Sequence, residues 1–449
     1  MASLAGMGAR VGSGAVRPGL RVIVIGAGVS GLAAAKLLQE AGAKVTVLEA
    51  RKRIGGRVHT DRATFGVPVE IGAQYVQGTK NSDGEMNPVW EMAKRHRWAS
   101  VPFSSDAVQA VRKGEDVDAE ELSERMEAFT EVIEEAEDEI ELKHSVQDAM
   151  DRYVAEESLT PRQAAELRAM VASEVGLEYG GDINQIAIQS IGDEEGFSGG
   201  NHILTGGYDQ VPALLATGLL DVRLGAVVTE IDHREEVCTV TTKGGDVYHA
   251  EHVLCTLPLG VLQSQSVRFS PALPPAKSQA IARMGMGCLG KVFLEFPKRF
   301  WPEDTNWFLS LKSSAPWGVA FSSLSRVIPD RHILLMWHSG ALAREREAMS
   351  DEAVAQIALE ELRTATGEPV PAPLKAKITR WGTDPFSRGA YFFPKVNSPM
   401  SDVAELAKPV GSRLFFAGEA TNKGLFGTVP GAILSGRREA ERILKIAAG

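Results

Sequence analysis

The segment RVIVIGAGVSGLAAAKLLQEAGAKVTVLE, from Arg21 to Glu49, leaves the chain few folds to choose from. Its first five residues are apolar and β-branched after Arg21, the composition of a buried parallel strand. Gly26, Gly28 and Gly31 follow as G-x-G-x-x-G, and the run LAAAKLLQEAG after them reads as a helix leading to a second strand, KVTVLE. In such a unit the first glycine allows the tight turn, the second lets backbone approach a pyrophosphate, and the third lets helix pack on strand. The anion sits over the helix N-terminus, where free N–H groups and the helix dipole favour it. Glu49 closes the second strand 18 residues beyond Gly31. A carboxylate there accepts hydrogen bonds from ribose hydroxyls and repels a 2′-phosphate, so an NADP-type ligand is disfavoured.

The continuation EARKRIGGRV is more selective. Arg51 and Arg57 bracket Gly55 and Gly56, placing cations and a flexible backbone beside the same pyrophosphate. This pattern resembles that of FAD-dependent oxidases, which predicts further parts of an FAD site downstream. GSRLFFAGEATNKGLFGTVPGAILSGRREAERIL supplies a buried run LFFA, the pair Gly418-Glu419 and a final helix starting near Thr428. An acid at a strand end suits ribityl hydroxyls, and a helix N-terminus suits the flavin N1/C2 edge, where negative charge grows on reduction. AVVTEI reads as a strand carrying Val228 toward adenine, and HVLCTLP as one entering the cofactor region before Pro258 turns the chain away.

With 449 residues the chain has room for two domains, or for one inserted in another. The expected fold is α/β, with a discontinuous Rossmann-type FAD-binding domain (20–86, 190–270 and 379–449). An interleaved α+β substrate-binding domain (87–189 and 271–378) completes it. The segment 87–189 reads as helical and polar, with Met126, Phe129, Val132, Ile133, Ala136 and Ile140 at helical spacing. In the later part GKVFLEFP and HILLMWH read as strands and DEAVAQIALEELRTAT as a helix. No apolar run is long enough to span a membrane. A net charge of −10 argues against nonspecific nucleic-acid binding and suits a cationic substrate. The three cysteines, Cys238, Cys255 and Cys288, have no metal-ligand spacing, so a reducing, cytoplasmic setting is the default expectation. The first twenty residues hold Arg10 and Arg17 but no acid or apolar h-region, as in a short targeting segment or a disordered leader. The sequence assigns no oligomeric state.

Taken in order, VIGAGVSGLAAAKLL, EARKRIGGRV, VEIGAQYVQG, MNPVWEMA, TLPLGVLQ, GKVFLEFPKRFWPE, TRWGTDPFSRGAYFFP and RLFFAGEAT resemble the flavin-containing amine oxidase superfamily. The likeness is strongest to plant-type polyamine oxidases and to the oxidase domains of lysine-specific histone demethylases. It extends over nearly everything after residue 20 and implies noncovalent FAD, a small-molecule amine substrate and O2. Such enzymes take a hydride from the carbon α to the amine, giving an imine that hydrolyses to a carbonyl while O2 becomes H2O2. By this resemblance FAD contacts come from Gly26, Gly28, Gly31, Glu49, Arg51, Arg57, Val228, Gly418, Glu419, Thr428 and Val429. Gly72, Ala73, Gln74 and Tyr75 are expected beside the isoalloxazine, with Trp381 packed near it. Lys291 matches the family lysine that holds a water at flavin N5, and Tyr391 matches a wall of the aromatic substrate enclosure.

The departures bear on substrate. Gln77 stands where plant-type relatives place an acid, and Leu289 where relatives place a tyrosine. Leu425 and Thr428 replace aromatics, with Phe426 close by, and Pro430 replaces a histidine. The expected aromatic wall is therefore thin, and Glu178 in GLEYGG is the candidate acid for a cationic substrate. Alternatives are an L-amino acid oxidase, with Arg380 as carboxylate clamp in place of the missing G-x-M-R, and an FAD-holding scaffold without turnover. A chromatin enzyme is disfavoured, because the chain has no coiled-coil insertion or basic patch.

Overall fold

The computed structural model describes residues 19–103, 108–112, 115–116, 119–136, 143–188, 191, 196–301, 306–310, 318–366 and 369–448. The opening segment folds as strand Arg21–Ile25 (β1), helix Val29–Glu40 (α1) and strand Lys44–Glu49 (β2). Val22 to Ile25 are all buried, as a strand covered on both faces requires. β1 pairs in parallel with β2 on one side and with His252–Cys255 on the other. Val222–Leu224 and Leu414–Phe416 add the outer strands of a five-stranded, all-parallel sheet. Segments from the beginning, middle and end of the chain thus meet in one sheet.

The final helix, Val429–Ala448, packs directly on α1. Small residues make this possible: a Cβ on Gly436 would lie 2.1 Å from the Ser30 carbonyl oxygen, inside any permitted contact. Ser30 and Ser435 hydroxyls lie 3.3 Å apart across the same seam. The C-terminal helix is thereby fixed against the glycine turn that begins the sheet.

A second, seven-stranded sheet contains Leu289–Phe296, second from its edge, which pairs antiparallel with His332–Ser339 so that Lys291 stands opposite Trp337 in register. These are the strands expected from GKVFLEFP and HILLMWH, and the helix Asp351–Thr366 follows as expected. Helix Ala119–Ala136 buries Met126, Phe129 and Ile133, with Val132 packed at the core's edge. Full burial of such side chains stabilises by roughly 1.5–3 kcal/mol each. The Ala136 side chain and Ile140 lie outside the described residues, as do residues 1–18 of the leader.

The helical reading of 87–189 needs correction. Ser100–Phe103, Val108–Arg112 and Glu115–Asp116 are strands. SVPF and VQAVR take this form because each pairs with a distant partner, Asn201–Leu204 and Trp307–Ser310 respectively. Such long-range pairing overrides local pattern. Among the described residues no helix is long and apolar enough to cross a membrane.

Candidate active site

A cavity of about 1040 Å³ runs from the β1–α1 turn to the seven-stranded sheet. It is lined by every site residue named above from the sequence except Gly31 and the alternative clamp Arg380. Gly31 acts through packing: a Cβ there would stand 2.0 Å from the Gly26 carbonyl oxygen. Gly26 itself has φ +103°, a conformation that side chains oppose. Gly28 differs, since its absent Cβ would meet nothing within 4 Å. The α1 N-terminus has no side-chain cap, so its N–H groups open onto that space.

Glu49 is buried at the end of β2, accepting bonds from the Ala27 and Arg51 N–H groups, both at 2.8 Å. Its carboxylate is fixed by backbone and keeps further acceptor capacity toward the cavity. The Arg51 guanidinium donates to Asp384 at 2.6 Å and Ser387 at 2.8 Å. Arg57 donates to the Ala390 carbonyl at 2.9 Å and to Glu419 at 2.8 Å. The second Glu419 oxygen accepts the N–H groups of Phe392 and Gly427. Glu419 therefore ties Arg57 to two loops, a structural duty beyond the ribityl contact expected from the sequence. The final helix begins at Val429, and Thr428 and Val429 border the cavity at that end.

Lys291 is buried on its strand, and its ammonium donates to the carbonyls of Glu70 (2.9 Å) and Gly72 (2.8 Å) and to Gln74 Oε1 (3.1 Å). It also stands 4.5 Å from the Trp337 ring centroid. Burial drives its pKa well below the usual lysine value, against a smaller opposing pull from the Glu70 carboxylate. Glu70 is itself buried, bonded to the Tyr208 N–H and the Thr60 hydroxyl, and burial raises its pKa. Trp381 is held by its indole N–H on the Ile71 carbonyl at 2.9 Å. Its ring edge approaches Gly72, whose own absent Cβ would fall 1.8 Å from the Arg57 carbonyl oxygen. Gln74 Nε2 and the Tyr75 hydroxyl are buried and near each other, with no well-formed hydrogen bond to a described residue, and both can turn to a ligand in this cavity.

At the far end Gln77, Glu178, Leu289, Tyr391 and Leu425 all line the cavity, and the Tyr391 hydroxyl is anchored on the Leu177 carbonyl at 2.8 Å. The thin aromatic wall expected there is corrected by rings from elsewhere. Tyr75, Phe103, Trp307 and Trp337 line the cavity in mutual contact, with centroids 5.0 to 6.3 Å apart. Glu174 is a second acid, one turn before Glu178 on helix Pro161–Tyr179. Both glutamates border the cavity with accessible surface, yet enough protein surrounds them that burial raises both pKa values. Neither makes a hydrogen bond or ion pair to a described residue. Arg380, in contrast, is turned onto Asp351 and the carbonyls of Glu347 and Met349, and does not line the cavity. E-x-x-x-E was the sequence signal for Glu174; nothing local marked Trp307 and Trp337.

An uncapped helix N-terminus, the open face of Gly28, a fixed acid at the strand end and orphaned polar groups beside a buried lysine fit a flavin dinucleotide and define a flavin-dependent oxidoreductase. The model of the flavin-containing amine oxidoreductase family matches residues 29–444, and the chain belongs to that family. It is an FAD-dependent amine oxidase. Human lysine-specific histone demethylase 2 is 34% identical over 445 residues, which cover 94% of this chain and 53% of that protein. The chain thus spans about half the length of that relative. Arabidopsis thaliana polyamine oxidase 2 is 33% identical over 440 residues, covering 94% of this chain and 87% of the other. A solved structure of a redesigned putrescine oxidase aligns with a TM-score of 0.73 at 21% identity, covering 95% of this chain and 100% of its own. That likeness speaks for the fold.

Proposed function

We propose that the chain oxidises an amine bearing at least two positive charges, a polyamine or diamine, and passes the electrons to O2 with release of H2O2. The observation that carries this reading is the pair Glu174 and Glu178 bordering the amine-oxidase cavity with no ion pair to a described residue. Carboxylates one helical turn apart have Cβ atoms about 5–6 Å from each other. Burial raises the pKa of both acids, and a cation entering beside them offsets that cost by favouring their charged form. The four-ring cluster adds faces on which an ammonium is attracted by the ring quadrupole.

FAD, when bound, supplies the hydride acceptor. The residues of the chain do the rest. Arg51, Arg57 and the α1 N-terminus hold the pyrophosphate, Glu49 the ribose, and Gln74 and Tyr75 present polar groups to the ring. Lys291 has its three ammonium donors committed to Glu70, Gly72 and Gln74. Burial depresses its pKa, so it gives up a proton more readily than a free lysine, and its nitrogen can orient a water for imine hydrolysis where that water replaces one of these three contacts. No cysteine lines the cavity among the described residues, in keeping with noncovalent flavin. The division into cofactor and substrate domains proposed from the sequence is supported by the two principal sheets, which draw on different segments. An amino-acid substrate has lost Arg380 as its clamp.

A peroxide-release screen over spermidine, spermine, acetylated polyamines, putrescine, monoamines and amino acids of both hands tests the reading. Preference for substrates with two or more cationic nitrogens is expected. Equal turnover of monoamines, or turnover of amino acids alone, overturns it.

A further inference from the structure

A second cavity, about 860 Å³, lies between the helix Pro275–Arg283, the segment 262–273 and the loop after Trp381. Phe269, Leu273, Ile281, Met284, Met286 and Phe393 give it an apolar floor. Arg268, Arg344, Arg388 and Lys395 stand around it, and no lining residue is acidic, although the whole chain carries a net charge of −10. Arg268 is paired with Glu230. Arg344 donates to the Met286 carbonyl at 2.6 Å, and the nearby Asp182 carboxylate accepts the Ala341 N–H. Arg344, Arg388 and Lys395 form no ion pair with a described residue. Arg344 feels the Asp182 carboxylate, while Arg388 and Lys395 are left as cations at the rim, so the concavity is positively charged and attracts an anion.

We propose that this cavity is a binding site for a small organic anion, with a phosphate or carboxylate head on Arg344, Arg388 and Lys395 and an apolar body against Phe269 and Phe393. A largely polar, basic wall with apolar side chains at its base offers an anionic head its charge partners and a small apolar body a place to rest. It is separate from the cofactor cleft but shares Val267 and Arg388 with it. Arg388 belongs to the loop whose Asp384 and Ser387 hold Arg51, so a bound anion touches the same loop that positions the cofactor's cations.

The probe is phenyl phosphate, titrated calorimetrically into FAD-saturated enzyme so that the cofactor's own pyrophosphate site is filled. One saturable site per chain is expected, weakened by salt and weakened about tenfold or more in Arg344→Gln/Lys395→Gln with unchanged flavin absorbance. Benzoate beside phenyl phosphate assigns the head group, the tighter of the two naming it. Absence of saturable binding, equal affinity in the double variant, or binding seen only after FAD is stripped overturns the proposal. Lys395→Gln alone, on an exposed loop, keeps the comparison decisive if the double variant fails to fold.

Discussion

Glu174 and Glu178 stand one helical turn apart on Pro161–Tyr179, both bordering the cavity that holds Lys291 and neither bonded to a partner among the described residues. Among the described residues no lysine or arginine pairs with either, and Glu178 lies near the Tyr75 ring. The cationic substrate proposed above would complete the arrangement. Glu174→Gln and Glu178→Gln are each expected to raise KM for spermine or putrescine by about 10- to 100-fold, the worth of one charge-assisted hydrogen bond, with kcat changed far less. KM for a monoamine such as benzylamine should move little. Steady-state kinetics on both substrates checks the split.

The same pair makes stability depend on pH. Burial raises both carboxylic acids above their ordinary range. Between the ordinary and the raised values the folded chain binds more protons than the unfolded one, so stability falls as pH rises through that window. Substrate affinity runs the other way, being lost as pH falls and the carboxylates protonate. Thermal melts of the apo-substrate enzyme should show Tm declining across the window, with a flatter profile in Glu174→Gln/Glu178→Gln and a higher Tm for that variant at pH 8.

Lys291 carries the opposite sign. Its ammonium is disfavoured by burial, so the unfolded chain binds its proton more readily and stability rises with pH toward the ordinary lysine range. Lys291→Met is expected to lose that rise and to lower turnover by on the order of 10²-fold, within the range for removed proton-handling groups. Flavin content should persist, because the lysine touches the loop 70–74 and none of the pyrophosphate groups. Anaerobic bleaching by amine with slow aerobic turnover is the signature to look for; unchanged turnover removes Lys291 from the mechanism.

Glu49, Arg51 and Arg57 line the cavity as the sequence suggested, because they lie within one contiguous strand-turn-helix-strand unit and its extension, where spacing fixes geometry. Lys291 needed the family resemblance, since only the fold brings its strand under the loop at Gly72. Trp337 reaches the same point through the antiparallel register that sets it opposite Lys291, and Trp307 through a further pairing with Val108. No local pattern encodes such registers, which is also why the strands at Ser100–Phe103 and Val108–Arg112 were hidden within a segment that reads as helical. Glu174 was visible as half of an acid pair but had no sign of facing inward, because helix Pro161–Tyr179 is apolar on more than one side.

Two glycines of the opening motif should separate binding from folding. Gly28 has ordinary backbone angles, φ −70° and ψ 173°, and open space where a Cβ would go. Gly28→Val is therefore expected to fold with a near-unchanged circular dichroism spectrum while purifying colourless, its side chain occupying the face over the α1 N-terminus. Gly31→Val places its Cβ on the Gly26 carbonyl oxygen and against Val24, forcing α1 away from β1. Overpacking of this kind costs typically 1–3 kcal/mol and more where backbone must move. That variant should lose both colour and stability. If Gly28→Val retains stoichiometric FAD, the pyrophosphate does not lie over this turn, and the assignment of Arg51 and Arg57 to the same anion falls with it.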